Sequence, residues 1–280
     1  MSAFLALLSA ASFGAGDFMG GLATRRSGVA TTVVMWGHVL GLALLAALVP
    51  LFATDAAGED LAWGAAAGVV GAIGLVLLFR GFALGRMSVV APITALGAAV
   101  VPVVFGLVTG ERPPALAIVG SAVALVAIVL VSREEDVTVA ETPAQASGLV
   151  ESLVAGVAFG VFFILVAETS SDSGLIPLVS ARAASVTVLV AVTVVLRRRV
   201  RIDRTTTAFV VGSGVLDAVA NALFLGAVRL GLLSIAAVLS SLYPAGTILL
   251  ARTLLGERLT RGQVWGLAAG AVGVTMITLG

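Results

Sequence analysis

The residues able to do chemistry in this chain are few, and most lie inside apolar runs. Asp17 follows Gly14 and Gly16 in the first run. A carboxyl there can hold a proton or a ligand's cationic group, or act as structural partner to an arginine or hydroxyl. Asp217 and Asn221 are four residues apart, so on a helix they share a face. Such a face suits the polar wall of a cavity or a hydrogen-bonded helix–helix contact. Ser240, Ser241 and Tyr243 stand beside Pro244, where freed backbone groups could bind a ligand or be satisfied by neighbours. Arg182 could grip a carboxylate through two N–H groups. Pairing with Glu168 or Asp172 is the preferred reading for it. His38 is the sole histidine and could relay protons near neutral pH. Flanked by Gly37 and Gly41 and no ligand-type neighbour, it is read as a packed or backbone-bonded histidine.

Several chemistries are excluded or disfavoured. There is no cysteine, hence no thiol nucleophile, disulfide or thiolate metal site. No glycine-rich loop of the GxxxxGK[ST] kind is present, so ATP hydrolysis is not expected. One histidine and scattered acids make no catalytic or metal-binding constellation. The chain is expected to be no enzyme and to need no cofactor or metal. A net charge of +1 gives no reason to expect nucleic acid.

The elements that must position these residues are membrane helices. Hydrophobic residues make up 60% of the chain and charged residues 11%, with a mean hydropathy of +1.17. Soluble domains carry about 25% charged residues. A transmembrane helix needs roughly 20 mainly apolar residues. Ten segments qualify: 3–23, 29–52, 61–84, 88–109, 114–132, 148–167, 175–196, 207–228, 232–253 and 262–280. The runs are continuous rather than alternating, which favours helices over barrel strands. Small-residue steps such as Gly16/Gly20, Gly37/Gly41 and Gly64/Gly68 let helix backbones approach closely.

The chain repeats itself. Residues 85–112 match residues 231–258 at an offset of 146 without a gap, including Gly110-Glu111-Arg112 and Gly256-Glu257-Arg258. The same offset pairs Phe13-Gly14 with Phe159-Gly160, and Thr94 with Ser240. The polar stretch 133–147 divides the spans five and five. An odd count reverses the side from which the second copy starts, so the copies are inverted. All 16 basic residues are arginines. Eleven of them fall in one alternate set of loops, including Arg25, Arg26, Arg197 and Arg201. Basic loops stay cytoplasmic, which places both termini outside.

Each half resembles the EamA domain of the drug/metabolite transporter superfamily. The resemblance rests on Ser12-Phe13-Gly14 and Ala158-Phe159-Gly160 at the start of each unit. It rests further on fourth spans with small residues and a mid-helix proline (Pro102, Pro244), and on the closing Gly-Glu-Arg. It covers 1–134 and 148–280, joined by a linker at 135–147. The resemblance implies an all-α integral membrane protein of ten transmembrane helices in two inverted five-helix repeats. It implies a secondary transporter of small metabolites or drugs in the bacterial inner membrane, an exporter, with proton coupling a hypothesis on Asp17 and Asp217.

Substrate sites in inverted-repeat transporters lie near the midplane between the repeats. The expected lining is Asp17, Asp217, Asn221, Ser240, Tyr243, Thr94 and Arg182. Arg80 and Arg252 are expected to extend to the interface, and the Gly-Glu-Arg turns to cap the helix that follows each. The partners implied are a small molecule and the lipid bilayer, and a monomer suffices. Alternatives within this reading are a lipid-linked sugar flippase and a non-transporting scaffold or sensor.

Overall fold

A computed structural model of the chain describes residues 1–52, 55–85, 87–132, 143–197, 201–255 and 261–280. Arg86, Arg133, Arg198, Arg199, the Gly256-Glu257-Arg258 turn and most of the expected linker lie outside the described residues, as does the Arg252 side chain. The described residues form helices and turns, with no strand among them. In hydrocarbon every backbone polar group must be satisfied within the protein, which is what an apolar run of this length achieves by coiling.

The first copy comprises α1 (Ser2–Ser27), α2 (Ala30–Leu48), α3 (Gly58–Leu84), α4 (Met87–Val108) and α5 (Ala115–Ser132). The second comprises α6 (Pro143–Ala167), α7 (Ile176–Val195), α8 (Arg204–Arg229), α9 (Leu233–Ser240), α10 (Tyr243–Leu255) and α11 (Arg261–Leu279). Seven helices are long and apolar enough to cross a membrane. Three shorter apolar segments, Ala115–Leu130, Leu233–Thr247 and Val264–Leu279, supply the remaining spans.

The ninth span is not one helix. It breaks at Ser241 and Leu242, between α9 and α10. Pro244 was expected inside a helix. It sits instead in the first turn of α10, where its missing N–H breaks no helical bond. Pro92 and Pro102 do lie inside α4. Elsewhere the ends have ordinary causes. Gly28 closes α1 with φ 72°, a conformation glycine adopts freely. The Asp203 carboxylate accepts from Thr206 N at 2.6 Å and starts α8.

Packing interleaves the copies. The helix α1 lies along α8, and its repeat mate α6 lies along α3. Likewise α2 packs on α8 as α7 packs on α3, and α4 packs on α6 as α9 and α10 pack on α1. The mates α5 and α11 pack on each other. Exchanging the copies maps this pattern onto itself, as two inverted five-helix repeats require. Close approach needs glycine at the mates Gly68 and Gly214. A Cβ on Gly68 would collide with the Ala181 carbonyl on α7, and one on Gly214 with the Gly37 backbone on α2.

Candidate functional site

The interleaving leaves a cavity where the copies meet. It is lined from α1, α2, α3, α6, α7 and α8, with Ala98 of α4 and Tyr243 at the start of α10. Its volume is about 40 Å³. That is room for a few waters at roughly 10–15 Å³ each. Side chains must part before a metabolite fits.

Five of the seven expected residues line this cavity: Asp17, Arg182, Asp217, Asn221 and Tyr243. Arg182 does not pair with Glu168 or Asp172 as preferred from the sequence. Its Nη2 donates to Asp217 Oδ2. Asn221 Nδ2 donates to Asp217 Oδ1 at 3.2 Å and to the Asp217 carbonyl at 2.7 Å. The spacing of four thus serves a bond along the helix as well as a shared face. Asp217 is therefore compensated: one cation and one amide hold its two oxygens.

His38 is buried, as a packed histidine would be, and it also lines the cavity. Its Nδ1 lies 2.8 Å from Ser185 Oγ. The Ser185 hydroxyl donates its own hydrogen to the Arg182 carbonyl at 2.9 Å. By elimination, His38 Nδ1 is the donor to Ser185. That leaves Nε2, which has no hydrogen-bond partner among the described residues and stands 3.9 Å from Asp217 Oδ2. No sequence pattern joins His38, Arg182, Ser185 and Asp217; they meet because α2 packs on both α7 and α8.

Asp17 is different. Its carboxyl is buried, faces the cavity and receives no hydrogen bond from any described residue. It lies close enough to Asp217 and Tyr243 to interact with both electrostatically. The Tyr243 hydroxyl donates elsewhere, to the Ala91 carbonyl at 3.2 Å. The same cavity is also lined by four aromatic rings: Phe13, Phe159, Phe162 and Phe163. Phe163 stacks on Phe224 with centroids 4.1 Å apart. The sequence reading missed these rings as lining, although the repeat offset already paired Phe13 with Phe159.

Thr94 and Ser240 lie outside the lining. Both are fully buried, and each ties two helices together. Thr94 Oγ1 donates to the Ser152 carbonyl on α6 at 3.1 Å. Ser240 Oγ donates to the Ala6 carbonyl on α1 at 3.3 Å. Ser152 and Ala6 are themselves mates at the offset of 146, so the two bonds are one bond made twice. The Ser241 hydroxyl, at the break, is buried with no partner among the described residues.

Outside the cavity, one face of the bundle is laced across the copies. Asp60 at the start of α3 accepts from Ser170 N at 2.6 Å and Ser170 Oγ at 2.9 Å. Arg229 at the end of α8 donates to the Ser170 carbonyl at 2.9 Å and to Ser173 Oγ at 2.8 Å. Glu111 was expected to cap α5. Its two oxygens instead accept from Leu233 N at 2.8 Å and Ser234 N at 3.1 Å, capping α9 of the other copy. Arg80, expected to reach the interface, is half exposed and pairs with Glu151 on α6 at 3.0 Å.

Comparison with known proteins agrees with this architecture. No curated protein matches the sequence. The chain resembles a solved structure titled "Crystal structure of protein" with a TM-score of 0.70 at 16% identity, over 97% of this chain and 96% of that one. At that identity the likeness concerns the fold. The model of the EamA-like transporter family matches twice, over residues 1–133 and 146–279. Two matches spanning nearly the whole chain, on a fold of two interleaved five-helix copies, place this protein in the EamA-like transporter family.

Proposed function

We propose that this multi-pass membrane transporter works by alternating access around the cavity between its copies, exporting small metabolites or drugs. The observation that supports this most is the cavity itself. It lies between inverted repeats, the arrangement in which substrate sites of secondary transporters are found. It holds two carboxyls, an arginine, an imidazole, a phenol and an amide among apolar residues. Rocking the copies would open one face and close the other, and the laced face offers contacts that such a motion would break and remake. Asp17, Asp217, Asn221, Tyr243 and Arg182 are the proposed substrate-lining residues. Thr94 and Ser240 would hold the helices that position them. Asp17 and Asp217 are the proposed proton-coupling groups. The arginine-rich loops favour the bacterial inner membrane with both termini outside.

The test is transport. Metabolites that differ between cells with and without the protein would be loaded into proteoliposomes under an imposed pH gradient. Uptake or release driven by that gradient is the expected result. If Asp17→Asn and Asp217→Asn both leave the pH dependence unchanged, the coupling assignment fails. A C-terminal reporter active only in the cytoplasm should stay dark; signal from it overturns the orientation.

A further inference from the structure

We infer that the preferred ligand of this cavity is an organic monocation with an aromatic or bulky apolar body, held at Asp17. This deepens the transport reading above and rests on it for the step from binding to translocation. The argument is a charge inventory. The ionisable groups lining the cavity are Asp17, His38, Arg182, Asp217 and Tyr243. Arg182 and Asp217 neutralise each other directly. His38 is hydrogen-bonded to Ser185 through Nδ1 and faces Asp217 with Nε2, and Tyr243 donates to a backbone carbonyl. What remains is one carboxyl that no described residue hydrogen-bonds.

An uncompensated carboxylate away from water is costly, and a ligand of opposite charge removes that cost. An anionic ligand would have to displace Asp217 from Arg182 and would then face Asp17. A ligand that is cation and carboxylate at once would leave the deficit where it was. The surroundings specify the rest of the molecule. Phe13, Phe159, Phe162 and Phe163 line the same cavity as the carboxyl. Aromatic rings stabilise a desolvated cation and bury an apolar body. Asp17 can take a proton or a cation but not both, so the ligand should bind more weakly as pH falls.

Four probes separate the terms: benzyltrimethylammonium, tetramethylammonium, phenylacetate and phenylalanine. Binding of each to the purified protein in lipid nanodiscs would be measured by calorimetry across a pH series. Benzyltrimethylammonium should bind tightest, with tetramethylammonium weaker and the two carboxylate probes weakest. Asp17→Asn should weaken the cations about thirtyfold or more, as removal of one member of a buried charge pair does. It should also flatten their pH dependence. Asp17→Glu should restore part of the affinity, which separates lost charge from lost fold. Phe163→Leu should weaken benzyltrimethylammonium more than tetramethylammonium. The inference is overturned if phenylacetate or phenylalanine binds tightest, if none of the four binds, or if Asp17→Asn leaves cation affinity unchanged. Vesicle flux of benzyltrimethylammonium distinguishes the two readings. Asp17-dependent binding without flux sinks the transport reading and keeps this one. Flux of another metabolite by a protein that ignores these cations does the reverse.

Discussion

The cavity has two walls that descend from one. Where α1 lies along α8 the wall bears Asp17, Asp217 and Asn221; where α6 lies along α3 the mates of those residues are Phe163, Gly71 and Leu75. All six line the same space. Arg182 faces the same division, since its mate is Trp36, and so does Tyr243, whose mate is Gly97. Thr94 and Ser240 behave oppositely, making the same helix-to-helix bond in each copy. Positions on which the copies agree hold the bundle together. Positions on which they differ supply the polarity of the cavity. Duplication provided the scaffold twice, and chemistry was then placed on one side of it.

The sharpest way to break this comparison is to remove Asp217. Asp217→Ala strands a buried Arg182, a change that costs about 3–5 kcal/mol. Thermal melting of the purified protein should fall accordingly. Arg182→Met combined with Asp217→Leu should recover most of that stability while transport stays lost. Equal melting for the single and double variants would show that the pair does not hold the polar wall.

On the apolar wall, Phe163→Ala removes a stacked ring and should cost about 3 kcal/mol by the usual loss for buried aromatics. If melting barely moves, the wall has more slack than its packing suggests. Asp17→Asn should behave in the opposite sense. It replaces a carboxyl that nothing compensates, so melting should hold or rise while pH-dependent transport disappears. A large loss of stability would instead make Asp17 a structural group.

Two smaller effects refine the picture. Glu111→Ala should cost about 1 kcal/mol, the usual worth of a helix cap, and should expose the Leu233 and Ser234 amides to hydrogen exchange. Thr94→Val and Ser240→Ala should each cost about 1 kcal/mol for one lost bond. They should match each other and leave the substrate KM unchanged. A KM effect at either would move it into the binding machinery.

Much of the fold is legible in the residues because lipid demands long apolar helices, and because a repeat in register declares its own symmetry. The Asp217/Asn221 spacing and the carboxyl at Asp17 were legible for a related reason: a polar group is conspicuous against an apolar background. The phenylalanines were hidden by that same background, since a ring facing a cavity and a ring facing lipid look alike in a sequence. The partners of Arg182 and Glu111 were hidden too. Each reaches into a helix far along the chain, on another element of the interleaved packing. The break after Ser240 escaped notice because the residues on both sides are apolar enough to continue the span.

Glu111 has a consequence for how the chain is made. Its carboxylate emerges with the first copy, but the amides of Leu233 and Ser234 that it holds come more than a hundred residues later. In the same way α1 must wait for α8 before its closest neighbour exists. During synthesis the first five helices therefore enter the bilayer with their contact faces unfilled and Asp17 not yet enclosed. Assembly cannot proceed one copy at a time. It completes only when the tenth span, α11, arrives to pack on α5.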